Sequence, residues 1–183
     1  MAKRKPRPGR EGGRVPALFA AGFAQEGVGL FLIGLGLLSA LALVSYDSSD
    51  PSFRFVPVQN AAGVAGASIA RSLVGSLGFG AAVPVLAVLA LGVRLLTHGQ
   101  LSFPSNRFWA GLALVQISLS TIPSLLTLLG LAVVPSASAG WLGRALAEPE
   151  RRLLSTPGAL VINLLALAVG TPSLFGVRPG DTL

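Results

Sequence analysis

Val28-Gly29-Leu30-Phe31-Leu32-Ile33-Gly34-Leu35-Gly36-Leu37-Leu38-Ser39-Ala40-Leu41-Ala42-Leu43-Val44 is an apolar run without a charge. It closes on a polar stretch, Ser45-Tyr46-Asp47-Ser48-Ser49-Asp50-Pro51. With Gly27 and a flanking residue or two, the run approaches the roughly 20 residues that a helix needs to cross the hydrocarbon core of a bilayer. Tyr46 then stands where an aromatic ring meets the headgroups. A basic tail ahead of an apolar run also describes a signal peptide, and Ala40-Leu41-Ala42 offers a cleavage-like pattern. The length of the run and the further runs downstream favour an uncleaved anchor.

Three more runs follow. Leu77 to Val93 ends at Arg94, and Pro84 inside it is tolerable because bundled neighbours re-satisfy the freed carbonyl. Phe108 to about Leu126 carries Trp109 at its start and Pro123 near its end, with apolar residues continuing to Val134. Pro157 to Val169 extends to Leu174. The expected spans are about 27–46, 76–94, 108–127 and 156–174, within a membrane domain of residues 17–175. Residues 1–16, rich in Lys, Arg, Gly and Pro, read as a disordered basic cytoplasmic tail. Pro16 to Gln25 reads as a surface helix, and Asp50 to Asn60, with Pro51 and Pro57, as an outer loop. Ala61 to Val74 reads as a short interfacial helix, and Leu95 to Arg107 as a cytoplasmic loop. Pro135 to Ser155 reads as an amphipathic interfacial helix interrupted near Pro149, and 176–183 as a cytoplasmic exit. The fold class is all-α: an integral membrane bundle of four transmembrane helices, with interfacial helices in the outer loops.

Composition agrees. The chain is 52% hydrophobic and 11% charged, whereas a soluble domain carries about a quarter charged residues. The net charge of +7 is uneven, because six basic residues, Lys3, Arg4, Lys5, Arg7, Arg10 and Arg14, crowd the tail. Adding Arg94, Arg107 and Arg178 puts nine cations on one side, against Arg54, Arg71, Arg144, Arg151 and Arg152 on the other. The positive-inside rule then places both termini in the cytoplasm and requires an even number of spans.

The same residues exclude much chemistry. There is no cysteine and one histidine, His98, so thiol chemistry and multi-histidine metal sites are out. No lysine lies beyond Lys5, so no Walker loop can be built. A Ser/His/Asp set fails because Asp47 and Asp50 face the side opposite His98, and Asp181 lies in a terminal tail. No ionisable residue falls in the middle of a span, which disfavours a pump or ion-coupled transporter. No catalytic, metal or cofactor-binding residue is assigned, and no cofactor or enzymatic activity is expected of this chain. Small residues recur at helix-packing spacing: Gly36 and Ala40, Gly78 and Ala82, Ala166 and Gly170. They suit packing within the chain's own helices or contact between copies. Gln116 and Asn163 are the amides at membrane depth, fitted to bonds inside the bundle or across subunits. The basic tail fixes topology, and could also touch DNA or anionic lipid.

One segment goes beyond a generic bundle. Tyr46, Asp50, Pro51, Ser52 and Phe53 follow the first span; Asn60, Gly63, Gly66, Ala67, Ala70 and Leu73 lead to Gly78-Phe79-Gly80 and Pro84. Later come Ala139-Gly140-Trp141-Leu142-Gly143-Arg144 and the step Ser155-Thr156-Pro157-Gly158. Over about residues 20–175 this resembles the N-terminal membrane domain of the FtsK/SpoIIIE DNA translocases of bacterial cell division. The resemblance implies an inner-membrane anchor at the division septum that assembles with itself and with other division proteins. In that family a RecA-like ATPase motor pumps chromosomal DNA. The sequence ends at Leu183 without one, as a fragment or a shortened relative would, so DNA and ATP are partners only through a motor not present here. The bet for partner contact is Asp50 to Phe53; the plainer reading is a turn that ends the first span. A small transporter or channel subunit is the alternative class, and would use Gln116 and Asn163 near the midplane.

Reporter fusions test the topology. A fluorescent protein that matures only in the cytoplasm should glow on either end, and alkaline phosphatase should be inactive on both. Opposite results at the two ends would require an odd number of spans.

Overall fold

The computed structural model describes residues 14–50, 58–98, 105–131 and 139–174, the side chains of 14–24 and 98 excepted. Residues 1–13 of the basic tail, Pro51, Ser52 and Phe53 within 51–57, residues 99–104 of the expected loop Leu95 to Arg107, 132–138 and the C-terminal 175–183 lie outside the described residues.

The described elements are helical. They are α1 (Arg14–Val44), α2 (Gly63–Leu77), a 3-10 turn (Gly78–Ala81), α3 (Ala82–His98), α4 (Asn106–Leu128) and α5 (Gly140–Leu174). Four stretches are long and apolar enough to cross a membrane: Gln25–Val44, Gly63–Thr97, Asn106–Leu128 and Gly140–Leu174. The all-α architecture with four long apolar helices is the one expected from the apolar runs.

Several boundaries differ. α1 is unbroken from Arg14, so Pro16 to Gln25 is continuous with the helix of the first span, whose apolar stretch begins at Gln25, and Arg14 to Pro16 belong to helix, not to a disordered tail. Pro16 stands in the first turn, where its missing N–H has no partner to lose. The expected span 76–94 falls on the end of α2, the 3-10 turn and most of α3, which continues to His98. The expected interruption near Pro149 is absent. α5 runs through Pro149 and turns at Ser155, with φ 59° and ψ 165°. Two residues later, Pro157 sits in the first turn of the returning leg, where a helix tolerates it.

The helices pair two by two. α1 and α3 lie against each other, as do α4 and α5, while the consecutive helices α3 and α4 barely touch. A Cβ built on Gly92 would sit 2.8 Å from Ile33 Cγ1 and 3.0 Å from the Gly29 carbonyl oxygen. One built on Gly36 would meet the Leu89 side chain at 2.6 Å. In the second pair a Cβ on Gly111 would meet the Gly170 carbonyl oxygen at 2.8 Å. Lipid tails are as apolar as leucine, so no hydrophobic force drives such helices together; close backbone approach and its dispersion contacts do. The large side chains accordingly point out: Leu30, Phe31, Leu37, Val161 and Leu165 are all more than half exposed.

The contacts of α5 set its direction. Gly143 packs against the Ser120 carbonyl of α4, and Ala147 joins Leu125 in a buried cluster. The first leg (140–154) therefore runs beside the second half of α4 in the same direction. Beyond Ser155, Ala159 joins the same cluster and Gly170 reaches Gly111, so the second leg runs back antiparallel. The second half of α4 is gripped from two sides, which is why Ser118, Ser120, Thr121 and Leu125 are all fully buried. The first leg buries its small residues, Gly140, Gly143 and Ala147, and exposes Trp141 and Leu153.

Substituting leucine at Gly92 or Gly111 should cost about 1–3 kcal/mol through overpacking and lower the thermal midpoint in detergent. Gly34→Ala meets nothing within 4 Å and should be neutral or stabilising by up to about 1 kcal/mol through helix propensity.

Candidate functional site

The polar step after α1 is built around two acids and an amide. Ser45 Oγ donates back to the Leu41 carbonyl at 2.7 Å, closing the last turn. Asp47 Oδ1 accepts from the Ser49 amide and the Ser49 hydroxyl, both at 2.7 Å. These donors, the backbone amide first, hold the exposed Asp47 carboxyl below its ordinary range. Asp50 turns inward and is 4% exposed. Its Oδ1 accepts the Gln59 amide at 2.8 Å and its Oδ2 the Asn60 amide at 3.0 Å, so one carboxylate ties both sides of the loop together.

Asn60 completes the clasp. Its Nδ2 donates to the Ala42 carbonyl at 2.8 Å and the Ser45 carbonyl at 3.2 Å. These oxygens lie at the end of α1, where helical carbonyls lack intrahelical partners. Asn60 Oδ1 accepts the Ala62 amide at 3.0 Å just before α2. From α2, Arg71 Nη2 donates to the Ser48 carbonyl at 2.6 Å and to the Asp50 carbonyl. Asp50 thus acts as the turn-former rather than as a displayed contact. Tyr46, beside it, is half-buried.

A second cluster lies where α2 meets α4 and α5. Gln116 Nε2 donates to Ser120 Oγ at 3.0 Å, and Ser120 Oγ donates to the Leu77 carbonyl at 2.8 Å, satisfying the end of α2. Gly80 lies directly under Gln116 and Ser120, and Gly78, at φ 60°, backs onto Gly140. Both crossings leave no room for a Cβ. Phe79, between two buried glycines, points outward and is 57% exposed. Gly78 and Ala82 do not share a helix face: one lies in the 3-10 turn, and the other opens α3 and is exposed. Gly36 is buried under Leu89 with Ala40 half-buried one turn on; Gly170 is buried on Gly111 with Ala166 half-buried.

Asn163 is 2% exposed. It donates to the Glu150 carboxylate and to the Ala159 carbonyl at 3.0 Å, joining the two legs of α5 across the turn at Ser155. On the other side of the first leg, Glu148 pairs with Arg151 at 3.0 Å and Arg152 at 2.9 Å. Sequence reading assigned no bonding or packing role to Arg71, Ser120, Gly143 or Glu150. The one available signal was an Asp and an Asn bracketing a proline-containing loop.

These features fall inside a match to a known family. A family model described as the 4TM region of DNA translocase FtsK/SpoIIIE matches residues 21–181. The chain belongs to this FtsK/SpoIIIE 4TM family. No curated protein and no solved structure matches it. The match covers the membrane region of FtsK, and the motor domain is not matched. Among the described residues no three of His, Asp or Glu come together to hold a metal. The polar side chains of the FtsK 4TM region here serve its own backbone, at the end of α1, the end of α2 and the turn of α5.

Asp50→Ala and Asn60→Ala should each cost about 1–3 kcal/mol by stranding buried amides or carbonyls. The double variant should cost less than the sum, since both residues serve one clasp. Thermal unfolding, and protease cleavage between Asp50 and Gln59, would measure both effects.

Proposed function

We propose that this chain is the membrane anchor and assembly domain of an FtsK-like cell-division DNA translocase. It would sit in the bacterial inner membrane, at the division septum, and act in chromosome segregation. The observation that carries the reading is the family match over residues 21–181, which spans all four candidate transmembrane stretches. The mechanism is binding, not catalysis. Apolar helices fix the chain in the bilayer, and small-residue faces let it pack with itself and with other copies. With both termini cytoplasmic, a motor joined after Leu183 would stand on the side of the chromosome and of ATP.

With Asp50 committed inward, contacts to other division proteins fall to other outer groups. Phe79 and Trp141, both more than half exposed, flank the Gly78–Gly140 contact and present aromatic area there. The transporter alternative draws no support from its two amides. Gln116 is spent on Ser120, and Asn163 on Glu150 and Ala159.

A fluorescent fusion in dividing bacteria tests the reading. Enrichment at midcell in constricting cells is the expected result, retained by Gln116→Leu and Asn163→Leu variants that still insert. Uniform membrane fluorescence in constricting cells would sink it.

A further inference from the structure

Beside the second half of α4, the first leg of α5 leaves a cavity of about 220 Å³, lined by Ser124, Thr127, Leu128, Arg144, Ala147 and Glu148. Its unusual member is Ser124. Many helical hydroxyls bond to the carbonyl one turn back, among them Ser68, Ser72, Ser76, Thr97, Thr121 and Thr127. Ser124 does not. Its Oγ is buried without a partner, in a residue only 8% exposed. The carbonyl one turn back belongs to Ser120, and Gly143 packs on it. Ser118, fully buried and outside the cavity lining, is like Ser124 without a partner. A buried hydroxyl proton without an acceptor is costly, and Ser124, unlike Ser118, lines a cavity from which an acceptor outside the chain can reach it.

The charges around the cavity point the same way. Arg144 is exposed, and has no hydrogen bond or ion pair among the described residues. Glu148, the acid in the lining, is held by Arg151 and Arg152. Glu150 is engaged by Asn163. The first leg carries three guanidinium groups and two carboxylates, and neither carboxylate is bonded to Arg144. Thr127 spends its own proton on the Pro123 carbonyl, so Ser124 and Arg144 are the donors. Guanidinium and hydroxyl donors together suit phosphate oxygens.

The surroundings select the source of the phosphate. The cavity lies at the end of the candidate span Asn106–Leu128. Leu128 in its lining, Leu131 just beyond α4, and Trp141 and Leu153 on the same leg of α5 are each at least half exposed. Exposed apolar residues beside free arginine at a span end describe the level of lipid headgroups. We propose that this cavity binds the phosphodiester of a membrane phospholipid through Arg144 and Ser124, with the acyl chains along the exposed leucines. The inference is independent of the division role and would hold for any function of the chain.

Native mass spectrometry of the whole chain in detergent tests it, with phosphatidylglycerol and a diacylglycerol of the same chains as probes. Phosphatidylglycerol should form a one-to-one adduct, and diacylglycerol should not. Arg144→Gln should weaken the adduct about tenfold, the scale of one charge-assisted hydrogen bond. Ser124→Ala should weaken it several-fold while leaving the lipid-free thermal midpoint equal or higher, since it removes an unbonded buried hydroxyl; it also carries the test if Arg144→Gln fails to fold. Wild-type binding by both variants, or equal binding of diacylglycerol, would overturn the proposal. So would displacement of the lipid by millimolar inorganic phosphate, which would assign the site to the free ion.

Discussion

Inside hydrocarbon a backbone amide or carbonyl has no water to bond, and one apolar side chain gains nothing by leaving lipid for another. Helices formed under that constraint satisfy themselves, and adhere to each other only where their backbones come close. In this chain the close places are bare glycines: Gly29 with Gly92, Gly111 with Gly170, Gly78 with Gly140, and Gly143 on the Ser120 carbonyl. The rest of the arrangement follows from these contacts. They set α3 antiparallel to α1, set the second leg of α5 antiparallel to α4, and bring the first leg alongside.

The same constraint governs the polar side chains. They gather where the helical backbone stops satisfying itself. Asn60 serves the carbonyls at the end of α1, and Asp50 the amides that re-enter beside it. Ser120 serves the last carbonyl of α2, and Asn163 bridges the turn of α5. A polar residue in such a fold is first a repair to the backbone. Ser124 is informative because it repairs nothing and lines a cavity with an arginine bonded to neither carboxylate of its leg.

In this FtsK 4TM region the buried polar side chains of the described residues are bonded within the chain, Ser118 and Ser124 excepted, and the large aromatic and apolar groups are left on the outside of the bundle. The inward turn of Asp50 moves attention from the acidic step after α1 to the exposed rings at the α2–α5 junction. Within that acidic step the Asp50 carboxylate holds the Gln59 and Asn60 amides.

The sequence by itself determined that the chain is helical and membrane-spanning, because uninterrupted apolar runs such as 28–44 have no other stable solvent. It also carried the family, through short motifs around Tyr46 to Phe53 and Gly78 to Gly80. It did not reveal which face of each helix is buried. The runs draw the eye to leucines and tryptophans, whereas the buried faces of α2 and α5 are made of Gly66, Ala67 and Ala70, and of Gly140, Gly143 and Ala147. Nor could it place the turn of α5 at Ser155 instead of Pro149, since a proline is tolerated when neighbours hold the helix and a serine reaches positive φ only when two packed legs force it. Pairings such as Gly29 with Gly92 were left to the tertiary structure for a simple reason. Close approach is a property of two surfaces meeting, and nothing local to either glycine names its partner.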